Sequence, residues 1–134
     1  MMLKDEHYLT YKKLKFNKKR ENVMTDCVFC SIIKKEIPST ELYRDEDFII
    51  IKDINPQAKV HLLAVPLVHV PEIEMMTEEG AALLGKIMSR ISRMQNELGL
   101  TNGYRLVMNQ GEDAGQTVNH VHIHILGGEK LKDM

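Results

Sequence analysis

Within His120-Val121-His122-Ile123-His124-Ile125 every second residue is a histidine and the residues between are aliphatic. Successive side chains of a β-strand point to opposite faces. As a strand, the run therefore puts three histidines on one face and Val121, Ile123 and Ile125 on the other. The aliphatic face belongs against a core. The histidine face gathers half of the chain's 6 histidines within about 14 Å of strand. Three readings suit such a face. It can be the polar side of a half-exposed strand with no further role. Alternate histidines can chelate one metal ion, with a third ligand from elsewhere, and form a metal-hydroxide hydrolase. Or one imidazole can attack phosphorus while its neighbours orient and discharge it.

The segment before the histidines favours nucleophilic attack. Asn109-Gln110-Gly111-Glu112-Asp113-Ala114-Gly115-Gln116-Thr117 supplies glycines for close backbone approach to a phosphate, and amide and hydroxyl donors for its oxygens. A polar glycine-bearing loop is a weak signal alone. Joined to alternating histidines, it reads as a phosphate cradle beside nucleophiles.

The rest of the chain frames this strand. Its 134 residues suit one domain, and 43% hydrophobic with 28% charged residues is an ordinary soluble composition. The net charge of −1 gives no global basic field for nucleic acid. That average conceals an asymmetry: residues 1–23 hold seven Lys/Arg against three Asp/Glu, leaving 11 against 16 in the remainder. No apolar h-region marks a signal peptide and no run has membrane-spanning length, so a cytoplasmic location is expected. Strands are expected at Leu42–Arg44, Phe48–Lys52, His61–Val65, Tyr104–Asn109 and His120–Leu126. Asp26 is expected to cap a short helix over Val28–Lys35. Apolar residues at 83, 84, 87, 91, 94 and 98 give one long helix over Thr77–Leu98, capped by Thr77 and stopped by Gly99. The expected class is α+β, with an antiparallel sheet of about five strands.

The 2 cysteines, Cys27 and Cys30, form a C-x-x-C pair. In a reducing compartment this is half a metal site, a redox dithiol, or two small residues packed in a short helix.

Gly115-Gln116-Thr117-Val118 followed by His120-Val121-His122-Ile123-His124-Ile125-Leu126 resembles the signature of the histidine-triad (HIT) superfamily. The resemblance runs over about residues 25–130. It passes through Cys27-Val28-Phe29-Cys30, Ile37-Pro38-Ser39, Asp53-Ile54-Asn55-Pro56-Gln57-Ala58, His61-Leu62-Leu63-Ala64-Val65-Pro66 and Gly103-Tyr104-Arg105. Within the family it is most similar to the Hint branch of nucleoside phosphoramidases, whose chains also stop soon after the segment matching Gly127-Gly128.

The resemblance implies a HIT-like fold and a set of roles. His122 falls on the nucleophile, with a backbone carbonyl near the first histidine fixing its tautomer. His124 falls on the histidine that binds a phosphate oxygen, and His61 on one that supports the triad. Asp53 matches the carboxylate that accepts the ribose hydroxyls, while Ile54 and Ile51 would flank a purine base. Asn109, Gly115, Gln116 and Thr117 match contacts to phosphate and leaving group. Cys27, Cys30, His69 and His120 match four ligands of a structural zinc ion. The branch further implies a homodimer paired through the long helix and an adjacent strand, with a purine nucleotide as substrate and neither nucleic acid nor membrane as partner.

The domain is thus expected over residues 24–134. Residues 1–23 read as a basic extension, either a translated leader upstream of a natural start at Met24 or an arm for an anionic partner.

Overall fold

A computed structural model describes residues 27–71 and 76–134. Residues 1–23, Met24 and the expected cap Asp26 lie outside them. The described elements are α1 (Val28–Ile33), β1 (Glu41–Arg44), β2 (Phe48–Lys52), β3 (Val60–Pro66), α2 (Glu78–Arg93), β4 (Tyr104–Val107), a 3-10 turn at Glu112–Ala114, and β5 (Ile123–Gly127). The five strands form one antiparallel sheet in the order β1-β2-β3-β5-β4, as the α+β reading requires.

Both faces of the sheet are covered, and the alternation of side chains sorts the residues between them. Phe48, Ile50, Leu62, Ala64, Ile123 and Ile125 pack with Ile87 and Ile91 of α2. Ile49, Ile51, Leu63 and Val65 pack on the opposite side with Cys27, Phe29 and Cys30 around α1. β2 therefore has no polar face, which is why Phe48-Ile49-Ile50-Ile51 is one unbroken apolar run. His61 and His124 share the α1 side, because Leu62 and Ile125 beside them take the α2 side.

Thr77 caps α2 as expected, accepting from the Gly80 amide at 3.1 Å. Glu78 and Glu79 lie in the first turn and Arg90 and Arg93 in the last, complementing the helix dipole. The regular helix ends at Arg93, short of the expected Leu98; turns continue the spiral to Gly99, whose φ is +78°. α1 is also shorter than expected, ending at Ile33, and its cap is Cys27, whose Sγ accepts from the Cys30 amide at 3.3 Å. Arg90 ties α2 to the acidic turn before β2, donating to Asp45 at 2.8 Å and Asp47 at 2.7 Å.

The strand at the histidines differs most from expectation. β5 begins at Ile123, so His120, Val121 and His122 precede the ladder. The reason is a change of partner: the Val121 amide bonds to the Val70 carbonyl at 2.8 Å, away from β3, and Val121 packs on Val70. Likewise β4 stops at Val107 instead of Asn109.

Candidate active site and metal centre

α1 and the segments after β3 and before β5 bring Cys27, Cys30, His69 and His120 together, all buried, with their ligand atoms within 4.8 Å of one another. His69 Nδ1 lies 3.1 Å from Cys30 Sγ, and His120 Nδ1 lies 3.3 Å from Cys27 Sγ and 3.7 Å from Cys30 Sγ. The Cys30 thiol beside it, helped by His120, His69 and the Cys30 amide, holds the Cys27 thiol well below the usual thiol range against the opposing effect of burial. His120 Nε2 donates to the Pro66 carbonyl at 2.9 Å, leaving Nδ1 as a lone pair toward the sulfurs. Two sulfurs and two imidazole nitrogens at these separations fit a closed tetrahedral site, so the cluster could hold a metal ion.

His122 stands directly beyond this cluster. Its Nδ1 donates to the carbonyl oxygen of His120 at 2.7 Å, which leaves Nε2 with the lone pair. Burial lowers its pKa, outweighing the opposite pull of the His120 carbonyl. Phe29, between the two cysteines, meets the His122 ring in a T-shaped contact at 4.9 Å. Sequence reasoning did not single out Phe29. Its place between Cys27 and Cys30 was the available signal, since a helix start fixed by both cysteines holds the residue between them in place.

His124 lies next along the chain, its ring 5.2 Å from that of His122. Its Nδ1 is 2.9 Å from His61 Nε2, although the two residues are 63 positions apart. The register explains the meeting: Leu63 pairs with His124 and His61 with Leu126, so the two histidines are diagonal neighbours on adjacent strands. Asp53 joins them, with Oδ2 at 3.2 Å from His61 Nε2, while its Oδ1 accepts from the Asn55 amide at 2.8 Å. Burial, with His122 and His61 adding to it, lowers the pKa of His124.

The remaining expected residues differ in exposure and in partners. Thr117 and Gly115 are exposed and Asn109 is half-buried. The Gln116 side chain braces the loop, accepting from the Gly111 amide at 2.8 Å and donating to the carbonyls of Pro71 and Val118. Gly111 and Gly115 turn the loop at φ +89° and +83°. Ile51 and Ile54 separate: Ile51 is buried against the α1 cluster, whereas Ile54 is 99% exposed.

Residues 34–131 match the family model described as the HIT domain. The chain belongs to this family. Among similar HIT proteins, HitA of Neisseria gonorrhoeae is 42% identical over 104 residues, covering 78% of this chain and 97% of HitA. A solved HIT family hydrolase from Clostridium thermocellum is 46% identical, with a TM-score of 0.75 over 81% of this chain and 95% of that one. A histidine triad protein from Clostridium difficile superposes with a TM-score of 0.77 at 37% identity, over 81% and 96% of the two chains. These similarities support a HIT-type hydrolase. No helix among the described residues is long and apolar enough to cross a membrane.

Proposed function

We propose that this HIT protein hydrolyses purine nucleoside 5′-phosphoramidates, such as adenosine 5′-monophosphoramidate, through a nucleotidyl-His122 intermediate. The observation that carries the reading is the 2.7 Å bond from His122 Nδ1 to the His120 carbonyl. It holds the proton on one nitrogen of a buried imidazole and keeps the other ready for attack.

His122 Nε2 attacks the α-phosphorus, forming an N–P bond as the substrate's P–N bond breaks and the amine departs, taking up a proton. The resulting cationic ring keeps its Nδ1 proton on the His120 carbonyl. Water then attacks phosphorus and gives up a proton to solvent, the His122–phosphorus bond breaks with its electron pair returning to Nε2, and a nucleoside monophosphate leaves. His124 hydrogen-bonds a phosphoryl oxygen, with His61 in support. Asn109, Gly115, Gln116 and Thr117 frame the phosphate, and Thr117 adds a hydroxyl beside the leaving group. Asp53 accepts the ribose hydroxyls. Ile54, exposed, offers an apolar surface to one side of the base, and Ile51 flanks it from within the sheet.

Cys27, Cys30, His69 and His120 hold one zinc ion. With four protein ligands it is structural, clipping α1 to the segment that carries the nucleophile. Two copies pair through α2 and β4; the place of β4 at the sheet edge and the half-exposed Met88 on α2 support that arrangement.

Steady-state turnover of adenosine 5′-monophosphoramidate against diadenosine polyphosphates tests the reading. We expect a higher kcat/KM on the phosphoramidate. Faster dinucleotide cleavage would place the chain in another HIT activity, and nucleotide binding without turnover of either would make it a binding module.

A further inference from the structure

The Gln57 amide donates to His61 Nδ1 at 2.9 Å. A backbone N–H can only donate, so Nδ1 must offer its lone pair, and neutral His61 carries its proton on Nε2. That proton faces two acceptors, His124 Nδ1 at 2.9 Å and Asp53 Oδ2 at 3.2 Å. His124 Nδ1 is therefore an acceptor too, since a second N–H pointing at the first would leave two protons in one gap. The proton of His124 sits on Nε2.

Asp53, His61 and His124 also bring three potential metal-ligand atoms within 4.8 Å. The Gln57 amide argues against a cation there. A ligating histidine normally donates its second ring N–H to an acceptor, as His120 does to the Pro66 carbonyl. With Nδ1 already receiving a proton donor, His61 could bind a metal through Nε2 only as an imidazolate. The trio is built to direct a proton.

We propose that His61, pinned by the Gln57 amide, is a positioning residue that locks His124 with its proton on Nε2, making His124 a hydrogen-bond donor that keeps its proton. This rests on the reading that His124 meets the phosphoryl group. Release of the Nε2 proton would leave His124 as an imidazolate. Relaying the His61 proton into Nδ1 would only move that charge to His61, whose Nδ1 is held by Gln57. The charged or titratable groups facing His124 are His61, Asp53 and His122, and none of them relieves the constraint: Asp53 Oδ2 stands 4.0 Å from His124 Nδ1, beyond a hydrogen bond. The departing amine therefore takes its proton from solvent water, and His124 stabilises charge on the phosphoryl oxygen throughout.

Nitrogen-15 NMR of the histidine-labelled full chain without substrate reads the tautomers directly. We expect His61 to carry its proton on Nε2 with Nδ1 bare, and His124 to keep the proton on Nε2 alone across about pH 6 to 8, where a free imidazole titrates. His61→Leu should release His124 to titrate and exchange tautomers, and should lower kcat about tenfold with little change in KM, the scale of one lost hydrogen bond. His61→Gln retains an amide donor and should keep the His124 tautomer and recover most of kcat. A proton on His124 Nδ1, or a full positive charge on His124 within that range, overturns the proposal. So does a His61→Gln protein whose His124 behaves as it does in His61→Leu. Should His61→Leu fail to fold, the spectrum of the unaltered chain still decides. Absence of phosphoramidate turnover would remove the proposed function and leave the tautomer measurement standing.

Discussion

His120 turns its carbonyl oxygen to His122 Nδ1, at 2.7 Å, and its own Nδ1 to Cys27 Sγ, at 3.3 Å. One residue thus belongs to two sites: its side chain to the cysteine–histidine cluster, its backbone to the tautomer of the reacting imidazole.

Replacing only the attacking nitrogen should separate chemistry from binding. His122→Asn is expected to reduce turnover by about three orders of magnitude or more while leaving nucleotide affinity and melting temperature nearly unchanged. Steady-state rates with calorimetric binding check it. Turnover within a few-fold of the parent would exclude covalent catalysis at this residue.

For the metal cluster, we expect one zinc per chain in protein purified without chelator, read by elemental analysis. Cys30→Ser or a strong chelator should remove it and cost several kcal/mol of stability, because the ligands are buried and drawn from distant segments. A zinc-free protein with an unchanged melting temperature, or one with a Cys27–Cys30 disulfide, would refute the assignment.

Acid should act on the turn that Arg90 clasps. Burial pushes the Asp45 carboxyl up, but the Tyr43 hydroxyl, the amides of Asp47 and Phe48, and Arg90 together hold it below its ordinary value. The sign follows: the unfolded chain takes up this proton first, so the contribution is complete above the ordinary carboxylate value and is lost as pH falls through the lower folded one. Denaturant titrations at stepped pH should show Asp45→Asn flattening that acid limb. An identical limb in both proteins would contradict it.

Two glycines with nearly the same backbone angle should respond differently to a methyl group. Gly115, at φ +83°, has open space where a Cβ would stand, whereas at Gly128, φ +79°, a Cβ would come within 2.7 Å of Val60 Cγ2. Gly115→Ala should cost about 1 kcal/mol of left-handed strain, and Gly128→Ala more, about 2 to 4 kcal/mol, because Val60 must also move. Chemical denaturation measures both, and equal losses would rule out the steric contribution.

The sheet was legible because its strands have strong local patterns: Phe48–Lys52 is an apolar run, and Ile123 and Ile125 alternate with histidine. The true start of β5 was hidden. Val121 fits the alternation perfectly yet bonds to Val70, a contact across more of the chain than any local pattern reports. Side-chain chemistry alone points to Asp26 as the cap of α1, but Cys27 holds that position, since the same sulfur that faces His120 also accepts the Cys30 amide. Resemblance named His61, but its role in fixing His124 depends on the Gln57 amide. A main-chain donor leaves no trace in residue identity.

In the order β1-β2-β3-β5-β4, the strands carrying His61 and His124 each have a neighbour on both sides. Their amides are therefore expected to exchange with solvent chiefly when the whole sheet opens. A destabilising substitution in the core will therefore lower the number of competent molecules before it loosens the histidines in any one of them. Such a variant should lose activity in proportion to its folded fraction, with each surviving molecule working at the parental rate.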